Sequence, residues 1–410
     1  MPVTYWVTLS TGGMLVGAAL VGILSLRRSA EPAMALLMLM GTASSVYGVW
    51  GVASDYGRPE VTAAGVLLSA GCVIGGYGLA SASLPSLFTR IPTVDLGFLD
   101  MTRRVDGVCV LVIACVEPER YEPSMVADEL HELEVLGLPE TTIGVTPFLF
   151  AAQKTRYRAA GGRSPSPRQA EAVVERLESV LDAERFPLVR LITCAGRDLV
   201  ATTFARAVDQ GFREFVIANL SAAESSTWER AKEDLAALRP DDYEIRIAYT
   251  TPLWASERLS TMLTERILPL VQEHESSGVA LVVHGQSDFR SRRQPQFDVQ
   301  ENAFANRIRM GLAEHGVSEA DVRLCFAEWG TPDIVETVRH LAALGSTRIL
   351  VCPTCYPFES IATVLDFAVA IRQARVSPAV YVTTLTAWGN DPIVAETLRE
   401  RVEAAAREFD

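Results

Sequence analysis

The sequence predicts an α/β protein in which an N-terminal three-helix transmembrane anchor precedes two doubly wound halves with parallel sheets. Three observations lead there. The 410 residues are 49% apolar with a mean hydropathy of +0.19, too apolar for an ordinary soluble enzyme of this length. The apolar content is concentrated before residue 90, in three unbroken runs. From about Val105 short β-rich runs alternate with longer amphipathic stretches, the pattern of stacked βαβ units.

The three runs are Tyr5–Leu26, Ala33–Ser54 and Val61–Ser83, each near the roughly twenty residues that cross about 30 Å of hydrocarbon. The first has no basic stretch ahead of it and is followed by Arg27 and Arg28, so it reads as a retained anchor rather than a cleaved signal peptide. Arg27 and Arg28 flank the first connection, Asp55–Glu60 holds two acids and Arg58, and Arg90, Arg103 and Arg104 follow the third run. The positive-inside rule then expects a multi-pass protein of the cell (inner) membrane, N-terminus outside and the large domain cytoplasmic. No acid, base or His interrupts the runs, which disfavours an ion path and favours anchoring in the lipid bilayer. Gly13 and Gly17, and Gly71 and Gly75, recur at four-residue spacing; they suit packing inside the bundle, or a homo-oligomer or membrane protein complex.

The net charge of −13, from 50 acids and 37 bases, argues against a nucleic-acid partner, which needs clustered bases. Seven scattered Cys do not make a disulfide framework and point to a reducing compartment.

Candidate strands are Val108–Cys115, Leu188–Cys194, Glu214–Ala218, Glu244–Tyr249, Val279–His284, Asp321–Ala327, Thr347–Cys352 and Ala379–Thr383. Helical periodicity fills most intervals: Arg168–Ala183, Val200–Gln210, Glu229–Ala237, Asn302–His315, Ile334–Leu344 and Ser360–Ala374. The expected division is an anchor over 1–90 and halves over 100–275 and 276–410, meeting near Glu273–Gly278. Ligands of such sheets sit beyond the carboxyl ends of the strands.

There the strand Val279–Val283 ends in His284-Gly285-Gln286-Ser287-Asp288, where a Gly allows a sharp turn that exposes the imidazole. His284 is therefore the leading site candidate, against the alternative of a structural His. His131, His274, His315 and His340 show no metal-ligand spacing. Lys154 to Pro165 packs Lys154, Arg156, Tyr157, Arg158 and Arg163 with a Gly pair ahead of Ser164. This reads as a loop fit to stack on a planar ligand and pair its carboxylates, or as a solvated basic turn. It contains no phosphate cradle.

These residues carry a resemblance. Arg156-Tyr157-Arg158-Ala159-Ala160-Gly161-Gly162-Arg163-Ser164-Pro165 resembles the R-Y-x-x-I-G-G-x-S-P stretch of ferrochelatases, which insert ferrous iron into porphyrins. Val279–Gly285 resembles that family's strand ending in S-A-H-G or S-A-H-S, and Trp329-Gly330-Thr331-Pro332-Asp333 its W-L-x-P stretch. Ile349–Asp366 resembles its V-x-P-x-G-F-x-x-D-H-x-E-x-L segment. The matches keep the family's order over roughly residues 105–395.

The resemblance implies two Rossmann-like, chelatase-type halves with a porphyrin cleft between them, and His284 as the metal ligand or proton acceptor. It implies a substrate-binding set of Lys154, Arg156, Tyr157, Arg158, Ser164 and Trp329. The chain departs from the family at the second catalytic group: the Asp of D-H-x-E becomes Glu359, the His becomes Ser360 and the Glu becomes Ala362. Glu359 or Asp366 would then have to serve as a displaced carboxylate. Ile113-Ala114-Cys115-Val116-Glu117 also replaces the family's N-L-G-type turn.

The expected function is membrane-anchored insertion of ferrous iron into a porphyrin for haem biosynthesis, with iron and porphyrin as substrates and no tightly bound cofactor. The alternative is a catalytically inactive subunit that binds haem or another tetrapyrrole, or docks on a membrane complex. A cobalt or sirohydrochlorin chelatase is a third reading, weakened because only one His is suitably placed. Cys352 and Cys355 read as buried thiols, and no Cys follows them to hold the iron–sulfur cluster of some members.

Overall fold

The computed structural model describes residues 2–88, 94–135, 145–193, 200–273 and 276–410; Arg90, Cys194 and His274 lie outside them. The chain divides into two compact units, Met1–Ile91 with Arg120–Arg163, and Pro92–Glu119 with Ser164–Asp410. The change of character near residue 90 is thus a unit boundary, and a second segment, Arg120–Arg163, joins the N-terminal helices.

The first unit is helical. Helices α1 (Pro2–Ser25), α2 (Glu31–Tyr56) and α3 (Pro59–Phe88) pack together, and all three are long and apolar enough to cross a membrane. Gly13 and Gly17 serve this packing: a Cβ on Gly13 would lie 2.7 Å from the Ser69 carbonyl, and one on Gly17 would run into the Val73 carbonyl. Gly71 and Gly75 have nothing nearby to meet. Helices α4 (Pro123–Val135) and α5 (Thr146–Ala159) pack on α3, and α5 also on α1.

Helix α5 corrects the expected loop at Lys154–Pro165. Its buried residues Phe150, Lys154 and Tyr157 follow the spacing of one helix face, and only Ala160–Pro165 form the turn. The buried lysine hid the pattern, because it replaces an apolar residue in the stripe.

The second unit is the α/β part. In chain order it runs β1 (Val108–Ala114), α6 (Ser166–Val180), β2 (Leu188–Thr193), α7 (Val200–Gln210), β3 (Glu214–Asn219), α8 (Ser226–Ala237), β4 (Arg246–Tyr249) and α9 (Glu257–Gln272). It continues with β5 (Ser277–Val283), α10 (Asp288–Arg293), α11 (Pro295–Glu314), β6 (Val322–Phe326), α12 (Ile334–Ala343), β7 (Arg348–Pro353), α13 (Phe367–Ala374), β8 (Tyr381–Thr384) and α14 (Pro392–Ala406). A π-helical turn, Ala362–Asp366, leads into α13, where uninterrupted α-helix was expected from Ser360.

All strands pair in parallel, in two four-stranded sheets ordered β2-β1-β3-β4 and β6-β5-β7-β8. The two halves repeat one topology, although the sequence shows no internal repeat. In both, the first strand is central and buried along its whole length, which is why Val108–Ala114 and Ser277–Val283 read as continuous apolar runs. One core joins the halves: Val110 and Val216 of the first sheet, Leu281 and Leu350 of the second, and Phe304, Trp388 and Leu398 belong to a single buried cluster.

Candidate functional site

The interior strands of both sheets, β1, β3, β5 and β7, direct their carboxyl ends to one cavity of about 310 Å³. Cys115, Val116 and Glu117 reach it after β1, Ser221–Ala223 after β3, His284 after β5, and Tyr356–Phe358 after β7. In a doubly wound sheet the connections leave the inner strands in opposite directions, which opens such a crevice. Ser166, Phe297, Glu301 and Ser360 complete most of the wall.

His284 is placed by its neighbours. Gly285 turns the chain at φ +80°, and a Cβ there would collide with the Glu328 carbonyl, so the residue after the imidazole has to be glycine. Gly285→Ala is expected to cost about 2 kcal/mol or more, read as a lower denaturation midpoint. An unchanged midpoint would show that the turn is not fixed in this way.

Glu301 of α11 holds His284 at two points. One carboxylate oxygen accepts from the His284 backbone N–H at 2.9 Å, and the other lies 2.6 Å from Nδ1. Glu301 is only 2% exposed, whereas the His284 side chain is 38% exposed. With Nδ1 engaged, Nε2 is the ring nitrogen left to act. The Tyr356 ring stacks on the imidazole with centroids 3.8 Å apart, and Phe297 lies 5.9 Å away.

Burial alone would lower the His284 pKa, but the Glu301 charge and hydrogen bond, helped by Glu328, outweigh it and raise the pKa. Burial, with Glu301 next, pushes the Tyr356 hydroxyl well above its ordinary range, so it stays protonated. Burial does the same to Cys355 and pushes Cys325 up to about 12. None of the six described cysteines forms a disulfide with another described residue, and Cys352 and Cys355 are buried thiols.

Glu117 enters from the other half. One carboxylate oxygen accepts from Ser164 Oγ at 2.6 Å and from the Ile361 backbone N–H at 2.5 Å. Gln169 adds a second clasp, donating to Glu359 at 3.3 Å and accepting from the Glu359 N–H at 2.8 Å. A third joins Glu224 and Gln300. These pairs hold the two walls of the cavity in fixed register.

The residues singled out from the sequence divide accordingly. His284 lines the cavity, and Ser164 reaches it through Glu117 and its neighbour Ser166. Glu359 is occupied by Gln169, and neither it nor Asp366, at the end of the π-helical turn, is among the lining residues. Trp329 is 75% exposed, with φ at +54°. Lys154, Arg156, Tyr157 and Arg158 belong to the helical unit. Lys154 and Arg158 pair with Glu31, Arg156 bonds Gln153, and Tyr157 is buried against Tyr121. Among the described residues no cluster of three metal-binding side chains occurs.

Sequence reasoning missed Glu301. Its signal is visible in retrospect: it stands in the stripe Glu301, Phe304, Ala305, Ile308 and Leu312, all buried on one face of α11. An acid in an apolar stripe is paired or shifted in pKa, and in the structure its partner is His284.

No curated protein sequence matches the chain. Solved structures similar to it include SirB from Bacillus subtilis with Fe3+, 16% identical, with a TM-score of 0.48 over 74% of this chain and 98% of that one. The sirohydrochlorin chelatase SirB from Bacillus subtilis subspecies spizizenii in complex with cobalt is 13% identical, with a TM-score of 0.46 over 74% and 96%. CbiX, described as the terminal enzyme for siroheme biosynthesis in denitrifying bacteria, is 16% identical, with a TM-score of 0.38 over 73% and 99%. The ferrochelatase family model matches residues 133–406 of the 410; the chain belongs to the ferrochelatase family, proteins of metal insertion into tetrapyrroles.

Proposed function

We propose that this protein inserts ferrous iron into a porphyrin at the cavity headed by His284, while its N-terminal helices hold it at a bilayer. The observation that carries the reading is the pairing of His284 Nδ1 with a buried carboxylate, while no described residue bonds Nε2 and the side chain stays 38% exposed. Metal insertion requires the two inner N–H protons of the macrocycle to leave. Neutral His284 can accept each in turn at Nε2, handing the first to solvent water before the second leaves, and Glu301 stabilises the imidazolium formed each time. Glu301 would thus supply from α11 the negative charge that the family places at the position of Ala362.

Metal and porphyrin are both substrates in this scheme. The three apolar helices fit the physical chemistry of the reaction, because porphyrins partition into bilayers and a tethered cleft meets them where they concentrate. On the charge distribution of the connecting segments, the α/β unit would lie on the cytoplasmic side.

Ala362 favours a second reading, binding without insertion. Detergent-purified full-length protein, given ferrous iron anaerobically with protoporphyrin or coproporphyrin, separates the two by absorbance. Conversion of free-base bands to metalloporphyrin bands is the expected result. Stoichiometric binding with no conversion would establish a carrier or structural subunit, and the absence of both would overturn tetrapyrrole chemistry altogether.

A further inference from the structure

The two faces of α5 are inverted with respect to water. Its inner face, Phe150, Lys154 and Tyr157, holds a buried ammonium group. Its outer stripe reads Val145, Phe148, Ala152, Thr155 and Ala159, residues three and four apart that share one side of a helix. Every member of the stripe is exposed and none carries a charge; Val145 is 47% exposed and Phe148 57%. A helix face turned to water is ordinarily covered by charged and polar side chains, whereas an exposed apolar one marks a partner or a membrane.

The contacts of α5 set its level. Lys154 Nζ donates to the Ile23 carbonyl at 2.7 Å, two residues before α1 ends at Ser25. The Phe150 ring lies 6.4 Å from that of Phe88, the last residue of α3. Three successive crossings would put the ends of α1 and α3 on the same side of a bilayer, and α5 leans on the last turns of both. Its 14 residues rise about 21 Å at roughly 1.5 Å each, short of the roughly 30 Å of hydrocarbon. At that level and length the helix lies along a membrane surface rather than through it.

The surroundings of the stripe fit this placement. Leu87, in the last turn of α3, is 70% exposed and adds apolar surface at the same end of the bundle. Arg27 and Arg28 follow α1, and Arg156 and Arg158 stand beside the stripe on α5. Basic side chains with stems on apolar surface and heads at the phosphate level are those an interfacial helix carries. The acids of the neighbouring α4, Asp128 and Glu129, are engaged with other groups.

We infer that α5 is an interfacial helix, lying in the plane of a phospholipid surface with Val145, Phe148 and Ala152 sunk between headgroups and acyl chains. This rests on the reading of α1, α2 and α3 as membrane spans and extends it: Arg120–Arg163 grips the bilayer as well. One orientation accounts for both faces of the helix. The stripe without charge meets lipid, and the buried Lys154 meets the carbonyl end of α1 that it caps.

Photo-crosslinking of the full-length protein in vesicles of phosphatidylcholine and phosphatidylglycerol tests the placement. The photoreactive p-benzoylphenylalanine replaces Phe148, and in separate variants Ala152, Leu67 of α3 or Tyr381 of β8; lipid adducts are then counted by mass spectrometry. Leu67 is 72% exposed on a candidate span and Tyr381 63% exposed on the α/β unit, so the four sites differ in surroundings rather than in burial. Because these side chains are exposed, the replacements leave the packing alone, and circular dichroism checks it. The expected result is an adduct yield at Phe148 and Ala152 comparable with that at Leu67 and several times that at Tyr381. Adducts at Leu67 with none at Phe148 or Ala152 would overturn the interfacial helix and leave the spans in place, and so would yields at Phe148 no higher than at Tyr381. Absence of adducts at Leu67 would overturn the membrane reading itself, and the interfacial helix with it.

Discussion

Replacing His284 with Ala is expected to abolish metal insertion, and Glu301→Gln to slow it by roughly a hundredfold or more, within the range of general acid–base catalysis. The two variants fail for different reasons. Without the imidazole the cavity loses the acceptor that Glu301 orients, and the neighbouring Tyr356 hydroxyl and Cys355 thiol cannot replace it, because burial holds both protonated. With Gln at position 301 the imidazole remains, and what it loses is the charge that raises its pKa.

The pH profile distinguishes these roles. Only neutral His284 can accept a proton, so insertion should rise with pH through the raised His284 pKa and level off above it. Removing the Glu301 charge lowers that pKa, so the rising limb of Glu301→Gln should move to lower pH while its plateau falls. Stability changes in the opposite sense. The folded state holds the His284 proton more tightly than the unfolded chain, so the pair's stabilisation is complete below the unfolded pKa of His and is lost as pH rises through the folded one. Histidine proton resonances and insertion rates recorded across the same pH series would check both. A plateau loss with no movement of the limb would assign Glu301 to packing alone.

The parallel sheets and the position of His284 were legible in the sequence because each rests on a local signal. Val108–Ala114 and Ser277–Val283 are continuous apolar runs, and a strand ending in His-Gly announces a turn. Family motifs added the order of the segments. What stayed hidden depends on contacts between distant segments. Glu301 pairs with a residue on another element, and only an acid in an apolar stripe betrays it. Glu117 marked a departure from the family pattern, yet its bonds to Ser164 and Ile361 join segments that only folding brings together. The basic stretch misled for a related reason: charge and glycine content favour a loop, whereas Lys154 and Tyr157 are buried on one face of α5.

Lys154 is accordingly expected to act on stability rather than on ligand binding. Its ammonium group donates to the Ile23 carbonyl at 2.7 Å and pairs with Glu31 at 2.7 Å. Ile23 lies in the last turn of α1, where carbonyls have no intrahelical partner and the helix dipole favours a cation. The Tyr121 hydroxyl donates to the Ser25 carbonyl, also at 2.7 Å, so two terminal carbonyls of α1 are capped from Arg120–Arg163. Lys154 is 5% exposed, and Lys154→Met would strip a buried carbonyl and a half-buried carboxylate of their donor. Breaking a buried pair typically costs about 3–5 kcal/mol; Arg158 still pairs with Glu31, so about 2 kcal/mol is expected. Arg158→Met, at a side chain 49% exposed, should cost less than about 1 kcal/mol. Thermal unfolding of both variants in the same detergent, with porphyrin titrations alongside, tests the assignment. A clear fall in Tm for Lys154→Met with unchanged porphyrin affinity supports a structural clamp. Unchanged Tm with weakened affinity would return Lys154 to the substrate.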